Sequence, residues 1–524
     1  MRKLLPRWLP VLMLSVARDL PAFSTSDLPA ANVSVKVEAF GGTDLGTKIA
    51  AADEALGSRP GVITVNTAST LNMATTLSAR HNLMLNAPVT WAATMKLSGS
   101  NDISCVGGGA ISSTVAAGMP IFSAKDVSQI VIHGCVVSMT NDSPVLDGEG
   151  VRRVSMHHLK VEGGTIAQIN GRHGSDAGGA TSELDFDHNT VVDAAGTSGA
   201  AILLVNTTTA RVDSNSFTGI AYGTQWWGGD SATGNASQVT RTGKITLSGN
   251  RCQAVSACLW GSMGYEIAVT GNTADGCGDV CFDTEGGLSS VFNGNTATNC
   301  ANGCGAVFFF GRGVSFTKNT FSGDSRGGGL FLIKNQSANP ASYSGLTVSS
   351  NTLTCATICN AVYQEAVGQA TFDGNVVSNG VFATAGFGQD VTISRNSFSF
   401  SRALAAGAAA IKAPSITGAT TLTVEGNSVS STVPQVANTA CISATWNDYN
   451  NSDTYYIKGN RCEGAAPFPI DIVTMTDGAN PGMHASWHVE RNFGAGGRIV
   501  HTRTMSNEVY LVEGNCTPAG CPLK

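Results

Sequence analysis

Charge is scarce in this sequence. Of its 524 residues only 13% are Asp, Glu, Lys or Arg, about half the share usual in a soluble chain. That excludes a coiled coil or long-helix protein, which would be rich in Glu and Lys. Disorder is excluded as well, because disordered chains are poor in apolar residues and highly charged, and here 42% of residues are hydrophobic. The net charge of −6 lacks the basic face that a nucleic-acid binder needs. No apolar run reaches the roughly 18 residues of a membrane span. Helix-period segments are missing between the strand-like runs, so a βαβ fold is ruled out. A leucine-rich repeat would carry LxxLxL, which is absent, and a propeller would need about 40 residues per blade. No P-loop, Gly-x-Ser-x-Gly elbow or His-Glu-x-x-His motif occurs. With so few charges, the surface must be built from Ser, Thr, Asn and Gly.

What is present is a repeat. A short segment ending in Asn recurs at Asn189, Asn215, Asn250, Asn272, Asn295, Asn319, Asn351, Asn375, Asn396, Asn427, Asn460, Asn492 and Asn515. Many intervals are 21 to 24 residues and others 31 to 35. A fixed unit with variable loops marks a solenoid. Weaker copies come earlier, with Cys135 and Leu159 where Asn would stand. Alternating runs such as Ile245-Thr-Leu247 and Val391-Thr-Ile393 read as strands, three to a unit. The recurrent Asn suits a left-handed corner. In coils stacked about 4.8 Å apart its amide can also bond the Asn of the next coil, giving a ladder. The intervals 218 to 243, 334 to 345 and 402 to 421 read as projecting loops.

This arrangement resembles the right-handed parallel β-helix proteins of the pectate-lyase-like superfamily over roughly residues 80 to 516. The fold expected is all-β, a right-handed parallel β-helix with a short N-terminal capping helix. Thr43 or Asp44 would cap that helix, Leu45, Ile49, Ala52 and Leu56 form its apolar stripe, and Gly57 ends it. The segment AFGGTDLGTKIAAADEAL looks like the capping element of many such enzymes, closing the open end of the core. The expected division is a leader over 1–30, a cap over 31–80 and a solenoid over 81–524. Within the leader, Arg2, Lys3 and Arg7 precede a short apolar stretch and a Ser15-Val16-Ala17 cleavage site, the pattern of a signal peptide. A secreted or cell-surface location is therefore expected.

The 14 cysteines point the same way. Cys277/Cys281, Cys300/Cys304 and Cys355/Cys359 share one spacing. Cys252/Cys258 and Cys516/Cys521 are also close, and Cys441/Cys462 and Cys105/Cys135 remain. An even count with local partners suits disulfides in an oxidising compartment. Zinc is the rival reading, but no His accompanies the pairs.

In a parallel β-helix, outward residues of equivalent strands stack into rows. Aligning the strand before each Asn strand groups Trp260, Asp283, Glu285, Arg312, Lys334 and Glu365 on one face. Asp283 and Glu285 are two apart on a strand, so both point the same way, about 6.5–7 Å apart at Cα. That suits inverting glycoside hydrolysis, or calcium held by Asp283 and Glu285. In the calcium case Arg312 or Lys334 would assist proton abstraction from a uronate. The run Gly278-Asp279-Val280-Cys281 resembles the Gly-Asp-Asp-Cys run of polygalacturonases, with Val280 in place of the second Asp. Acid-x-acid followed a coil later by Arg also resembles alginate and chondroitin lyases, with Leu288, Ser289 and Ser290 where their Lys belongs. Candidate catalytic residues are thus Asp279, Asp283, Glu285, Arg312 and Lys334. Trp226, Trp227 and Asp230, in an expected loop, join Trp260 and Glu365 as candidate substrate-binding residues, since an exposed indole is a platform for a sugar ring. Phe308, Phe309 and Phe310 read as core and groove floor. Arg152, Arg153, His157 and His158, followed by Arg172 and His173, read as solvated surface or as an acid–base cluster. The expected activity is a polysaccharide lyase or glycoside hydrolase, monomeric or trimeric, with calcium as the candidate cofactor. The alternative is a non-catalytic adhesive solenoid. No nucleic acid or membrane span is expected as a partner.

Overall fold

The computed structural model describes residues 33–171, 183–193, 199–229, 242–324, 326, 328–334, 343–365, 368–384, 387–446, 452–464, 470–474, 485–494, 499–501 and 509–516. The expected signal peptide, Arg172, His173, Asp230 and Cys521 lie outside the described residues.

Strands pair in parallel with the strand three positions further on, coil upon coil: Gln129–His133 with Arg153–His157, then with Glu183–Asp187. Three strands per turn close a three-sided cylinder, and parallel connections of this kind wind right-handed. The architecture is a right-handed parallel β-helix. Alternation sends every second side chain inward, and one continuous apolar core runs from Val37 to Val489. The ladder begins at Val33–Lys36 on Gly61–Val65.

The helix Leu45–Leu56 starts at Asp44, whose Oδ1 accepts from the Thr47 N–H and whose Oδ2 accepts from the Asn72 N–H. Its buried stripe is Leu45, Ile49, Ala52 and Leu56, as the sequence spacing requires, and Gly57 takes φ 61° at its end. Asp53 ties the helix to the first coil: it accepts from Ser78 N–H and Oγ–H and pairs with His81 Nδ1 at 2.6 Å.

The thirteen Asn residues form one unbroken ladder. Asn272 is typical: its Nδ2 donates to Asn295 Oδ1 at 2.9 Å and to Leu247 O at 3.0 Å, while its backbone N–H donates to Asn295 Oδ1 at 3.0 Å. The pattern runs from Asn189 to Asn515. At its start Asn189 Oδ1 receives the Leu159 N–H, where no Asn stands. One expectation is corrected here. The left-handed corner is not taken by the ladder Asn but by the residue before it: His188 (φ 53°), Ser214 (φ 55°), Lys318 (φ 56°), and Gly249, Gly271 and Gly294 (φ 62° to 66°). The Asn remains outside that region so that backbone N–H and side-chain amide can reach the same acceptor.

Two other expectations are corrected. Part of 218 to 243 is the strand Tyr222–Trp227, and most of 402 to 421 lies in the strand Ala409–Glu425, each paired in parallel to its neighbours. Of 334 to 345, residues 335–342 lie outside the described residues.

Among the described residues six disulfides form with the expected partners: Cys105–Cys135, Cys252–Cys258, Cys277–Cys281, Cys300–Cys304, Cys355–Cys359 and Cys441–Cys462. Hydroxyls cover much of the outer surface. Thr296 and Thr298, Thr320 and Ser322, and Thr352 and Thr354 stack in register with Ala297, Phe321 and Leu353 inside. Among the described residues no helix is long and apolar enough to cross a membrane.

Candidate functional site

Two outward rows meet on one side of the cylinder. In the first, Leu259 opposite Phe282 and Ser262 opposite Glu285 set Trp260 beside Asp283. Asp283 then faces Ala306, Ala306 faces Leu332 and Leu332 faces Tyr363. The second row, two residues along, reads Trp227, Ser262, Glu285, Phe308 and Lys334. Glu365 follows Lys334 in that register, with its N–H bonded to Ile333 O at 2.8 Å.

The local fold explains why these side chains face outward. Cys281 turns into the core through its disulfide to Cys277 and its neighbour Phe282 is buried there too, so the in–out alternation is interrupted between them and restarts at Phe282. Phe282 and Thr284 are wholly buried inside, which leaves Asp283 and Glu285 on the outer face. After Glu285 the chain turns. Gly286 (φ 71°) lies between Met263 (φ 56°) and Phe309 (φ 64°) of the adjacent coils, and the pairing shifts register between Glu285 and Gly287. A side chain on Gly286 would meet the Phe310 ring. Glu285 is therefore the last residue of the flat strand, at the rim of the face.

Asp283 is 6% exposed and its Oδ1 has no hydrogen-bond partner. Apolar groups pack alongside: Val280, Ala306 and Leu332 form a cluster outside the main core, joined by Phe308 and Tyr363. Burial first, and then the charges of Glu285 and Asp279, push the Asp283 carboxyl well above the usual carboxylate range; the Thr284 N–H only partly opposes this. Glu285 is half-buried. Asp279 is exposed and accepts from Asn302 Nδ2 at 3.0 Å.

Aromatic groups flank the acids. Trp260 is half-buried, meets the Tyr222 ring at a tilt of 56° with centroids 5.1 Å apart, and has a buried Nε1 without a partner among the described residues. Beyond the acids, Lys334 sits over the Tyr363 ring at 5.9 Å, and Tyr363 donates its hydroxyl to Glu365 at 3.2 Å.

The structure thus brings Asp279, Asp283, Glu285, Trp227, Trp260, Lys334 and Glu365 onto one side. Arg312 is not brought into the rows. It lies past the Phe309 corner, opposite Leu288 and Ser344. Trp226 corrects the sequence reading: it is wholly buried and belongs to the core, not to a sugar platform. Its ring fits because Gly261 and Gly264 of the next coil leave room that any Cβ would take. Tyr363 joins the first row, whereas Tyr222, opposite Ala257 and outside both rows, only reaches the Trp260 ring. Tyr363 was legible, since the strand alignment that gives Glu365 also gives the tyrosine two residues earlier. Among the described residues no group of three His, Cys, Asp or Glu side chains is placed to hold a metal ion.

A second polar cluster lies on the neighbouring face. His133 stacks on His157 (4.9 Å) and His158 on His188 (5.2 Å), with His157 Nδ1 and His158 Nδ1 3.1 Å apart. Asp102 and Asp187 pair with His133 and His188. Arg153 pairs with Glu183 at 3.0 Å.

No protein-family model matches the chain, and no curated protein sequence matches it. Solved structures do. PfbA, a surface adhesin of Streptococcus pneumoniae, is 10% identical with a TM-score of 0.38, covering 71% of this chain and 93% of that one. The catalytic unit of a thermostable GH87 alpha-1,3-glucanase from Streptomyces thermodiastaticus is 14% identical with a TM-score of 0.33, covering 70% and 69%. A mutant tailspike of E. coli bacteriophage HK620 in complex with a pentasaccharide is 11% identical with a TM-score of 0.39, covering 81% and 74%. At these identities and scores none of the three bears on the chemistry of this chain.

Proposed function

We propose that this chain is an exported β-helix protein that binds an extracellular polysaccharide along the two rows and hydrolyses it, with Asp283 as general acid and Glu285 as general base. The observation that carries this reading is the buried Asp283, its carboxyl pushed well above the usual carboxylate range, two residues from Glu285 on one outward face. Two carboxyl groups in different environments are what acid–base glycoside hydrolysis requires. Inverting enzymes hold their two carboxyl groups about 6.5–9.5 Å apart so that water fits between carboxylate and sugar, and residues two apart on one strand face, about 6.5–7 Å apart at Cα, can present them so.

In that reaction Asp283 gives its proton to the glycosidic oxygen as the anomeric C–O bond breaks. Water attacks the opposite face of the anomeric carbon and loses a proton to Glu285. Exchange with solvent returns the proton to Asp283. Trp227, Trp260 and Tyr363 would hold sugar rings, and Lys334 and Glu365 would contact hydroxyls. Asp279 would help keep Asp283 protonated through its charge. The six disulfides among the described residues suit an oxidising, extracytoplasmic location.

The test is incubation with a polysaccharide panel, with and without calcium. New reducing ends without unsaturated products, lost in Asp283→Asn, support hydrolysis. Unsaturated ends would instead assign a lyase. A second reading, a non-catalytic adhesive solenoid, is favoured by one observation: only 6% of Asp283 is open to solvent. Glycan binding that Asp283→Asn leaves unchanged, with no product from any glycan, would establish that reading.

A further inference from the structure

The candidate face carries more negative than positive charge. Asp279 and Glu285 act on Asp283 directly, and Glu365 stands three coils further along the rows. Among the described residues between Trp227 and Glu365 on the two rows, the one cation is Lys334, whose ammonium sits over the Tyr363 ring. A uronate or sulfated polymer laid along these rows would meet like charge.

The unpartnered atoms narrow the choice further. Among the described residues, Asp283 Oδ1 and Trp260 Nε1 are both buried without a hydrogen-bond partner, and they are the two such atoms on these rows. They belong to adjacent residues of one row. One is an indole donor, the other an oxygen of a carboxyl group. A hydroxyl can accept from the first and either donate to or accept from the second, whichever oxygen of Asp283 carries the proton.

We infer that the site takes an uncharged glycan, one of whose hydroxyls bridges Trp260 Nε1 and Asp283 Oδ1. This rests on the glycan-binding reading above and names its substrate class. It turns away from the uronates that the sequence resemblance implies.

The experiment titrates the full chain, by tryptophan fluorescence and equilibrium dialysis, with neutral glycans (an α-glucan, a β-glucan, xylan and galactomannan) and acidic ones (polygalacturonate and alginate). Salt is about 20 mM and then about 500 mM, which removes long-range charge effects. The expected result is saturable binding of at least one neutral glycan, with less than a twofold change in Kd between the two salts, and no binding of the acidic polymers. Trp260→Phe keeps a ring and removes the N–H; it should weaken neutral-glycan binding roughly tenfold. Binding of acidic polymers alone, weakened by salt, overturns the inference, as does full affinity in Trp260→Phe or no binding at all. Neutral binding without cleavage leaves the inference standing and removes the catalytic reading. Cleavage confined to uronates does the reverse.

Discussion

Asn295 and Asn319 are bonded twice: Nδ2 of Asn295 donates to Oδ1 of Asn319 at 3.0 Å, and the Asn295 N–H reaches the same oxygen at 2.9 Å. Both residues are buried, and each amide is also an acceptor for the coil before. Aligned amide dipoles strengthen one another along such a chain.

Removing one rung therefore orphans several buried groups. Asn295→Ala leaves the Asn272 N–H and Nδ2, the Asn319 Oδ1 and the Val269 carbonyl short of a partner. At about 1–3 kcal/mol for each unsatisfied group, the loss should be at least about 3 kcal/mol in chemical denaturation. Asn515, half-buried at the end of the ladder, should cost about 1 kcal/mol when changed to Ala. Equal losses at the two positions would contradict a cooperative ladder.

The disulfides act on both fold and site. By loop entropy the 30-residue Cys105–Cys135 loop should contribute about 3.6 kcal/mol and the four-residue Cys277–Cys281 loop about 1.9. Cys277–Cys281 holds the strand of Asp283, and Cys281 Sγ lies 3.4 Å from Cys300 Sγ in the next coil. A Cys277→Ala, Cys281→Ala pair should thus lose glycan affinity out of proportion to its stability loss, whereas removal of Cys105–Cys135 should lower Tm and leave affinity alone. Parallel titrations and melting curves distinguish the two.

The pH dependence of stability has two opposed contributions. Asp283 has a raised pKa in the fold, so its contribution is fully present below the unfolded value of about 4 and is lost as pH rises toward the folded value. Asp283→Asn should therefore gain stability relative to wild type as pH rises above about 4. His157 has a lowered pKa, first by burial and then by His133. Its contribution is present above the unfolded value of about 6.5 and lost as pH falls below it. His157→Gln should flatten the stability profile between about pH 5 and 7, measured by urea denaturation across that range.

Trp226 and Trp227 should separate core from surface. Trp226→Ala should cost about 3–5 kcal/mol, as for a buried indole. Trp227→Ala should leave stability within about 1 kcal/mol and weaken glycan binding instead. A matching stability loss in both would contradict the outward row.

The cylinder was legible because its instructions repeat. The Asn positions, the helix stripe and all six described cysteine pairs could be read from spacing alone. Conformation at the corner was not, because the ladder fixes Asn and passes the left-handed turn to its predecessor. Adjacent tryptophans revealed that one faces out, but which one depends on strand phase, and the space left by Gly261 and Gly264 set Trp226 inside. Arg312 misled because the local alignment counts residues evenly across a strand, and the Phe309 corner breaks that count.

The proposed hydrolysis requires that Asp283 hold its proton. Site-resolved carbon NMR of the Asp283 carboxyl, assigned by comparison with Asp283→Asn, should show it still protonated well above the ordinary aspartate range near about pH 4. Titration at the ordinary value would mean that Asp283 is an exposed carboxylate, and the acid that the proposed hydrolysis requires would be absent.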